Sequence, residues 1–230
     1  MAKKTLSEEE MRQQNVAEAV SKTELFFQNN SRLIYTCVGI ILGLALVIFL
    51  YTRFYLIPKR AEAKAEMVRA EHWFQSGEYE LALAGDDNFM GFEEILSKYG
   101  AKAGKSVYMY AGLSYLHTGE YEQAVKTLKK YNGKDNILLA RAESAVGDAY
   151  VNLGETANAV KWYLKAAKTS DNELSAGYLV KAGTAAEAAG DKASALKYYT
   201  RAKEEHPEAF QYQGVLQGTD IDKYISRIGE

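Results

Sequence analysis

The sequence predicts an all-α protein, built from one apolar N-terminal helix followed by a solenoid of about four helix–turn–helix units and a closing helix. Three observations support this fold class. Only two of the 230 residues are proline, while Ala, Glu, Lys and Leu are abundant. One long run lacks any charge, and a spacing of 35 to 36 residues recurs after residue 105.

Residues 1–32 are predicted to form a short amphipathic head before the apolar run. Ser7 and Glu10 have the spacing of a capping box at the start of a helix. A loosely apolar stripe follows, made of Met11, Val16, Val20 and Phe27. Such a stripe is typical of a helix that lies on a lipid surface, and the alternative is a docking element for a membrane partner.

Residues 33–57 are predicted to be a transmembrane helix with its interface. The segment Leu33–Thr52 has twenty residues without a charge, which at about 1.5 Å per residue covers the roughly 30 Å of a bilayer core. A cleaved signal peptide is disfavoured, because 32 residues precede the run and no small-x-small site follows it. Tyr35 at one end and Tyr51 at the other fit the aromatic belts of the two interfaces.

The charges beside this run do not fix its direction, since five Lys and Arg precede it and five follow within twenty residues. The long charged head favours a cytoplasmic N-terminus, with the larger C-terminal part translocated. The expected location is the inner membrane, crossed once, with the repeats on the periplasmic side.

The recurrent spacing is carried by small residues at fixed places. Three segments can be aligned, beginning at Ser106, Arg141 and Gly177. The first helix of each holds Gly112, Gly147 or Gly183; the turn holds Gly119, Gly154 or Gly190; and the second helix holds Ala124, Ala159 or Ala195. Pro207 lies where the last second helix should stop. Glycine or alanine lets two helices approach closely, and a turn glycine can take a positive φ.

This pattern resembles the tetratricopeptide repeat, a helix–turn–helix unit of 34 residues. The repeats are expected over residues 58–207, in units of about 60–100, 105–138, 140–173 and 176–207. The first unit is weaker, with Ala70, Trp73, Gly77 and Ala82 at the matching places and an insertion near residues 84–91. Residues 208–230 should cap the solenoid, with Thr219 as N-cap and one apolar face of Ile221, Tyr224, Ile225 and Ile228.

The sequence indicates no enzyme and no cofactor or metal site. The stretch "GAKAGKS" at residues 100–106 has one residue too few for a phosphate-binding P-loop, and a helical pattern precedes it where a strand is required. A calcium-loop pattern beginning at Asp86 fails because Ser97 stands where a carboxylate is needed. The three histidines are far apart, and the one cysteine, Cys37, lies in the apolar run. A net charge of −2 argues against nucleic acid as partner.

The repeat resemblance implies a groove lined by the first helix of each unit. Its inward positions are Met67, Glu71 and Phe74; then Met109, Leu113 and Leu116; then Arg141, Ser144, Asp148 and Val151; then Val180, Thr184 and Glu187. Leu113, Asp148 and Thr184 replace the asparagines with which some members clamp a C-terminal carboxylate. The apolar end, from Met67 to Leu116, is expected to bind hydrophobic client segments, unless it is buried against the insertion or a second copy of the chain.

The order of head, span and repeats is similar to the YfgM-type family of ancillary subunits of the bacterial Sec translocon. This resemblance implies a membrane-tethered, chaperone-like module with protein partners and a lipid-embedded anchor. The alternatives are a structural scaffold, homo-oligomeric or part of an envelope assembly or secretion complex, and an organellar import receptor, in which a carboxylate clamp would be expected.

Overall fold

The computed structural model describes residue 12, residues 20 and 21, residues 24–211 and residues 213–229. It divides into two compact units, residues 1–58 and residues 59–230. The described residues form helices and no β-strand, apart from an isolated bridge between Gly85 and Met90. The all-α prediction is confirmed. Ser7, Glu10, Met11 and Val16 lie outside the described residues, so the amphipathic head stays a prediction.

The first unit contains α1 (Ser31–Tyr51), which has no buried residue. Within the described part of the chain, one helix is long and apolar enough to cross a membrane, and no residue of its most apolar window is buried. A helix satisfies its own backbone hydrogen bonds, which a span through lipid requires. Residues 31–51 are therefore a candidate single membrane span.

A wider helical turn, Thr52–Leu56, follows α1. In it the N–H of Ile57 donates to the carbonyl of Thr52, five residues back instead of four. Pro58 explains this local change, because its ring would collide with the carbonyl of Phe54 in a regular α-helix and it has no N–H to donate. The wider turn gives the ring room without breaking the helix.

The second unit is a series of helices in which neighbours along the chain pack against each other, from α5 through to α11. Their bounds are α2 (Ile57–Gln75), α3 (Tyr79–Ala84), α4 (Phe92–Tyr99), α5 (Ser106–Thr118), α6 (Tyr121–Leu128), α7 (Asn136–Asn152), α8 (Thr156–Ser170), α9 (Leu174–Ala188), α10 (Lys192–Glu205) and α11 (Ile221–Gly229). Short 3₁₀ segments occupy Gly100–Ala103 and Pro207–Phe210.

The helix pairs α5/α6, α7/α8 and α9/α10 share one construction. The turn glycines Gly119, Gly154 and Gly190 have φ values of 85°, 75° and 79°, in the left-handed region that closes a helix. A Cβ on Gly112, Gly147 or Gly183 would lie 2.4 to 2.6 Å from a side chain of the second helix, namely Leu128, Tyr163 and Tyr199 respectively. Ala124, Ala159 and Ala195 are fully buried. Glycine at the crossing therefore lets a large side chain of the second helix lie directly on the first.

An earlier pair precedes α5 and consists of α2 with α3 and α4; we call it the first pair. It departs from this construction at the expected insertion. Its second helix is divided into α3, of six residues, and α4, of eight. Between them the chain folds back at Gly85 and Met90, and the Asp86 carboxylate accepts hydrogen bonds from the N–H groups of Asn88 and Phe89 at 2.8 and 2.7 Å. In a calcium loop the Asp86 carboxylate oxygen would bind the metal. Here it closes a local turn.

The closing helix α11 places Ile221, Tyr224, Ile225 and Ile228 against the core formed with Tyr199 and Ala195. The predicted apolar face is therefore the packed face. Asp220, not Thr219, caps the helix, since its carboxylate accepts the N–H of Lys223 at 3.1 Å. Thr219 lies one residue too early for its side chain to reach that N–H.

Candidate protein-binding groove

The predicted apolar end of the groove is largely packed into the protein itself. Met67 is only 3% exposed and belongs to the core of the first pair, which corrects its assignment to an open surface. The Phe74 ring is partly buried, with its centroid 5.5 Å from that of Tyr79 and 5.2 Å from that of Tyr110. These aromatic neighbours come from α3 and α5, and spacing within α2 gives no sign of them.

The three predicted groove residues of α5 are also partly buried. Met109, Leu113 and Leu116 pack against the core that α6 and α7 share. An apolar side chain already covered by its own protein has lost most of its contact with water, so it has less to gain from a partner. The α5 surface therefore exposes less apolar area than the sequence suggested.

The polar positions of α7 form a network with α9. Lys181 Nζ donates to both carboxylate oxygens of Asp148 and to Ser144 Oγ, at 2.8, 2.9 and 3.3 Å. The Tyr163 hydroxyl donates to the same carboxylate at 2.7 Å. Burial, and then the neighbouring Asp148 charge, raise the pKa of Tyr163. Asp148 is thus committed to the protein's own groups, while Arg141 is exposed.

A cavity of about 220 Å³ lies beside this network, between α7 and α9. We call it the α7–α9 cavity, and its lining residues are Val151, Tyr163, Val180, Lys181, Thr184, Ala185 and Ala188. Val151 is 46% exposed. The lining is mostly apolar, with the Lys181 amine and the hydroxyls of Thr184 and Tyr163 as polar groups. This composition suits an aliphatic side chain whose backbone can find a hydrogen bond nearby.

The structure brings together in this cavity three of the inward positions taken from the repeat pattern, Val151, Val180 and Thr184. The pattern missed Lys181, Ala185 and Ala188. Ala188 follows Val180 and Thr184 at a spacing of four, so helical periodicity could have found it. Lys181 does not follow this spacing of four. Its side chain lies at the cavity because it pairs with Asp148 of the neighbouring helix α7.

The far end of this face is closed by α11. The Tyr199 hydroxyl donates to Glu187 Oε2 at 2.9 Å, and Arg227 of α11 reaches the same oxygen at 2.7 Å. Glu187 therefore adds a polar link between the last pair and the closing helix, whose packing rests on its apolar face. Its charge is neutralised by Arg227, so it offers little to a partner.

The P-loop-like stretch has a structural role in this fold. Gly100–Ala103 is a 3₁₀ turn between α4 and α5, and Lys105 Nζ donates to the carbonyl of Asn132 at 2.8 Å. Across the described residues, no group of three or more His, Cys, Asp or Glu side chains is placed to hold a metal ion. The lysine that a P-loop would aim at phosphate instead ties down the segment between α6 and α7.

Comparison with known families identifies the repeats. Residues 106–134, 144–172 and 178–209 each match a model of the tetratricopeptide repeat. A search of curated proteins found no match to the chain. The matched segments overlap the pairs α5/α6, α7/α8 and α9/α10, and the second match begins within α7. Repeats of this kind serve protein–protein interaction, and the second unit of this chain contains three tetratricopeptide repeats.

Proposed function

We propose that the chain is a membrane-anchored interaction module whose repeats hold short apolar segments of other polypeptides in the α7–α9 cavity. The cavity itself carries the proposal, since it is the place on the predicted groove where apolar residues line an open volume, about 220 Å³, between two first helices. Val151 and Val180 supply its apolar contacts, and Lys181 and Thr184 supply polar contacts at its edge.

The size of the cavity favours weak and reversible binding. Burying one large apolar side chain is worth roughly 1.5 to 3 kcal/mol before the costs of association and ordering. A cavity that takes one or two such side chains therefore cannot hold a partner permanently. Transient holding is what a chaperone-like activity on emerging or unfolded polypeptides requires.

The wider setting that we propose is the protein translocation machinery of the inner membrane, where the chain would act as an ancillary subunit. In this arrangement the head lies in the cytoplasm, α1 spans the bilayer once, and the repeats face the periplasm. The order of parts, a candidate span followed by interaction repeats, supports the proposal. No residue has a role in catalysis in this proposal.

A scaffold role in an envelope assembly or secretion complex is the second candidate, and one observation favours it. Much of the predicted groove is already occupied by internal contacts, including the Asp148–Lys181 pair and the packed side chains of α5. In a scaffold, the groove can be filled by internal contacts because the fixed partner binds another surface of the repeats.

The deciding experiment replaces Val151 and Val180 together with glutamate in the full-length protein in detergent. Loss of protection of a denatured client against aggregation, with helical circular dichroism retained, supports the proposal. Val68→Glu is the matched control, because Val68 is 66% exposed and does not line the cavity. Equal protection by the folded double variant and the parent would remove the α7–α9 cavity as the site and favour the scaffold role.

A further inference from the structure

Glu143 occupies a core position that its counterparts fill differently. It lies four residues before the crossing glycine Gly147, and the corresponding residues in the other two repeats are Tyr108 and Leu179. Leu179 is 1% exposed and fully part of the core. The Glu143 side chain is 6% exposed, so a carboxylate is buried where the neighbouring repeats place a large apolar or aromatic group.

Only one oxygen of the Glu143 carboxylate has a partner among the described residues. Glu143 Oε1 pairs with Lys165 Nζ of α8 at 3.0 Å, whereas Oε2 is buried and has no hydrogen-bond partner among the described residues. Taking a charge out of water is costly unless every lone pair finds a donor. This position therefore weakens the packing of α7, whereas Leu179 strengthens that of α9.

The defect lies at the junction between the first matched repeat and the second. A small cavity of about 40 Å³ separates the end of α6 from α7 and α8 there, lined by Leu128, Lys129, Tyr131, Leu139, Ala142, Glu143, Val146, Trp162 and Lys165. A gap between helices forfeits the direct side-chain contacts that its lining residues could make with one another. The cavity and the unsatisfied carboxylate thus weaken the same contact.

The helix on one side of this junction is also short. The α6 helix has eight residues, against fifteen in α8 and fourteen in α10. A non-helical segment, residues 129–135, connects it to α7. A shorter second helix presents less of its own surface to the next repeat. The core across this junction therefore also draws on Tyr131 of the connecting segment and on side chains of α5.

Exposed contacts take the place of part of this core. Lys129 Nζ donates to the Tyr150 hydroxyl at 2.6 Å and lies 5.3 Å from the centre of the Trp162 ring. Lys165 Nζ lies 4.5 Å from the same ring. Cation–π and hydrogen-bond contacts at the surface break and re-form more easily than buried apolar packing. These contacts can keep the two repeats together and still allow the junction to open.

We propose that the junction between α6 and α7 is a hinge of the solenoid, kept loose by the buried Glu143. Residues 129–135 absorb the change in backbone direction when the exposed hydrogen bond from Lys105 to the Asn132 carbonyl opens. Lys129 holds the segment to α7 and α8 through surface contacts that can be released. Because α5 lies on one side and α7 on the other, the motion changes the width of the face formed by the first helices. The hinge is independent of which partner the repeats bind.

Three lysines allow a matched test. Lys126, Lys161 and Lys197 occupy the same place in α6, α8 and α10, fourteen residues after the crossing glycine, and all are exposed. In full-length protein carrying Cys37→Ser, the pair Lys126→Cys and Lys161→Cys reports on the hinge. The pair Lys161→Cys and Lys197→Cys reports on the next junction. Spin labels on these pairs give the distribution of distances across each junction.

We expect the 126/161 distribution to be at least about twice as wide as the 161/197 distribution. Amide hydrogens of α6 should exchange at least about tenfold faster than those of α8. Glu143→Leu, which copies Leu179, should narrow the 126/161 distribution to the width of the other pair and slow the exchange of α6.

Equal widths for the two pairs in the parent protein would overturn the hinge, and this comparison stands even where Glu143→Leu fails to fold. A folded Glu143→Leu protein with an unchanged 126/161 distribution would equally show that the carboxylate does not loosen the junction. Glu143→Gln separates charge from shape, because a neutral side chain of the same size should give an intermediate width.

Discussion

Lys181 of α9 holds the Asp148 carboxylate of α7 through both oxygens, at 2.8 and 2.9 Å. The pair joins neighbouring repeats across the face that carries the α7–α9 cavity. Both side chains are partly exposed, 46% and 32% respectively, so water and salt screen their attraction.

The first prediction concerns this pair. Lys181→Ala should lower the free energy of unfolding by no more than about 1 kcal/mol, because the pair is exposed. Asp148→Ala should cost more, about 1 to 3 kcal/mol, because the Tyr163 hydroxyl loses its acceptor. Denaturant unfolding of both single variants and the double variant measures the coupling. A coupling well above 1 kcal/mol, unchanged at high salt, would contradict the surface-pair account.

A second prediction uses two glycines of the same helix, α9. A Cβ on Gly183 would lie 2.4 Å from Tyr199 Cε1, whereas a Cβ on Gly177 would meet only Leu216 at an ordinary 3.8 Å. Gly183→Ala should therefore destabilise the protein by about 1 to 3 kcal/mol through overpacking. Gly177→Ala should be neutral or stabilise it by up to about 1 kcal/mol, because alanine favours helix.

Thermal unfolding followed by circular dichroism compares the two glycine variants with the parent. The order of their midpoints, Gly177→Ala at or above the parent and Gly183→Ala below it, is the expected result. Similar losses in both variants would mean that the close crossing of α9 and α10 is not what requires glycine at 183.

Much of this fold is visible in the sequence because single residues determine it. The turn glycines and crossing glycines recur at fixed spacing, and each acts through its own backbone or through one facing side chain. The sequence predicts where the second helix of the first pair is interrupted, but not the backbone course between α3 and α4. Its course depends on the Asp86 turn and on backbone contact between Gly85 and Gly91.

The candidate site was harder to predict, because accessibility depends on neighbouring helices. Met67 and Val151 occupy inward positions of similar chemistry, but Met67 is buried by the first pair and Val151 remains 46% exposed. Likewise, a glutamate on a helix is ordinarily exposed, and only its alignment with the buried Leu179 of the next repeat indicates that Glu143 is buried. Tertiary packing, not periodicity, makes these distinctions.

A third prediction concerns pH. Asp191 caps α10 by accepting the Ser194 N–H at 3.0 Å, and hydrogen bonds from Ser194 lower the pKa of Asp191 below its usual 3.8. A lowered pKa in the folded state means that the stabilisation is present above the unfolded pKa, and it is lost as pH falls through the folded value. Asp191→Ala should thus lower the melting temperature at pH 7, and this difference should shrink below about pH 4.

Asp191→Asn is the control, because its side-chain oxygen can still cap the helix but has no charge to titrate in this range. Its melting temperature at pH 7 should lie between those of the parent and Asp191→Ala. A gap between parent and Asp191→Ala that stays constant from pH 7 to pH 3 would show that the carboxylate charge is not involved.

The fourth prediction concerns topology. If the repeats face the periplasm, protease added to intact spheroplasts should digest the chain after residue 58 and leave residues 1–32 protected. Lysed cells supply the control, since both parts should then be cut. Protection of the repeats in intact spheroplasts would reverse the assigned orientation and, with it, the proposed translocon setting.

The loop between α3 and α4 offers a way to mark this protein. Gly85 and Gly91 lie so close that a Cβ on either would overlap the other's backbone nitrogen at 2.4 Å, so the two ends of the loop already meet. Lengthening a closed loop costs little, about 0.6 kcal/mol for each doubling of its length. A short epitope or a fluorescent tag inserted between Asp87 and Asn88, both exposed, would disrupt the small Asp86 turn and the contact of Arg69 with the Phe89 ring. The repeats could then be followed in living cells through a label that leaves every helix unaltered.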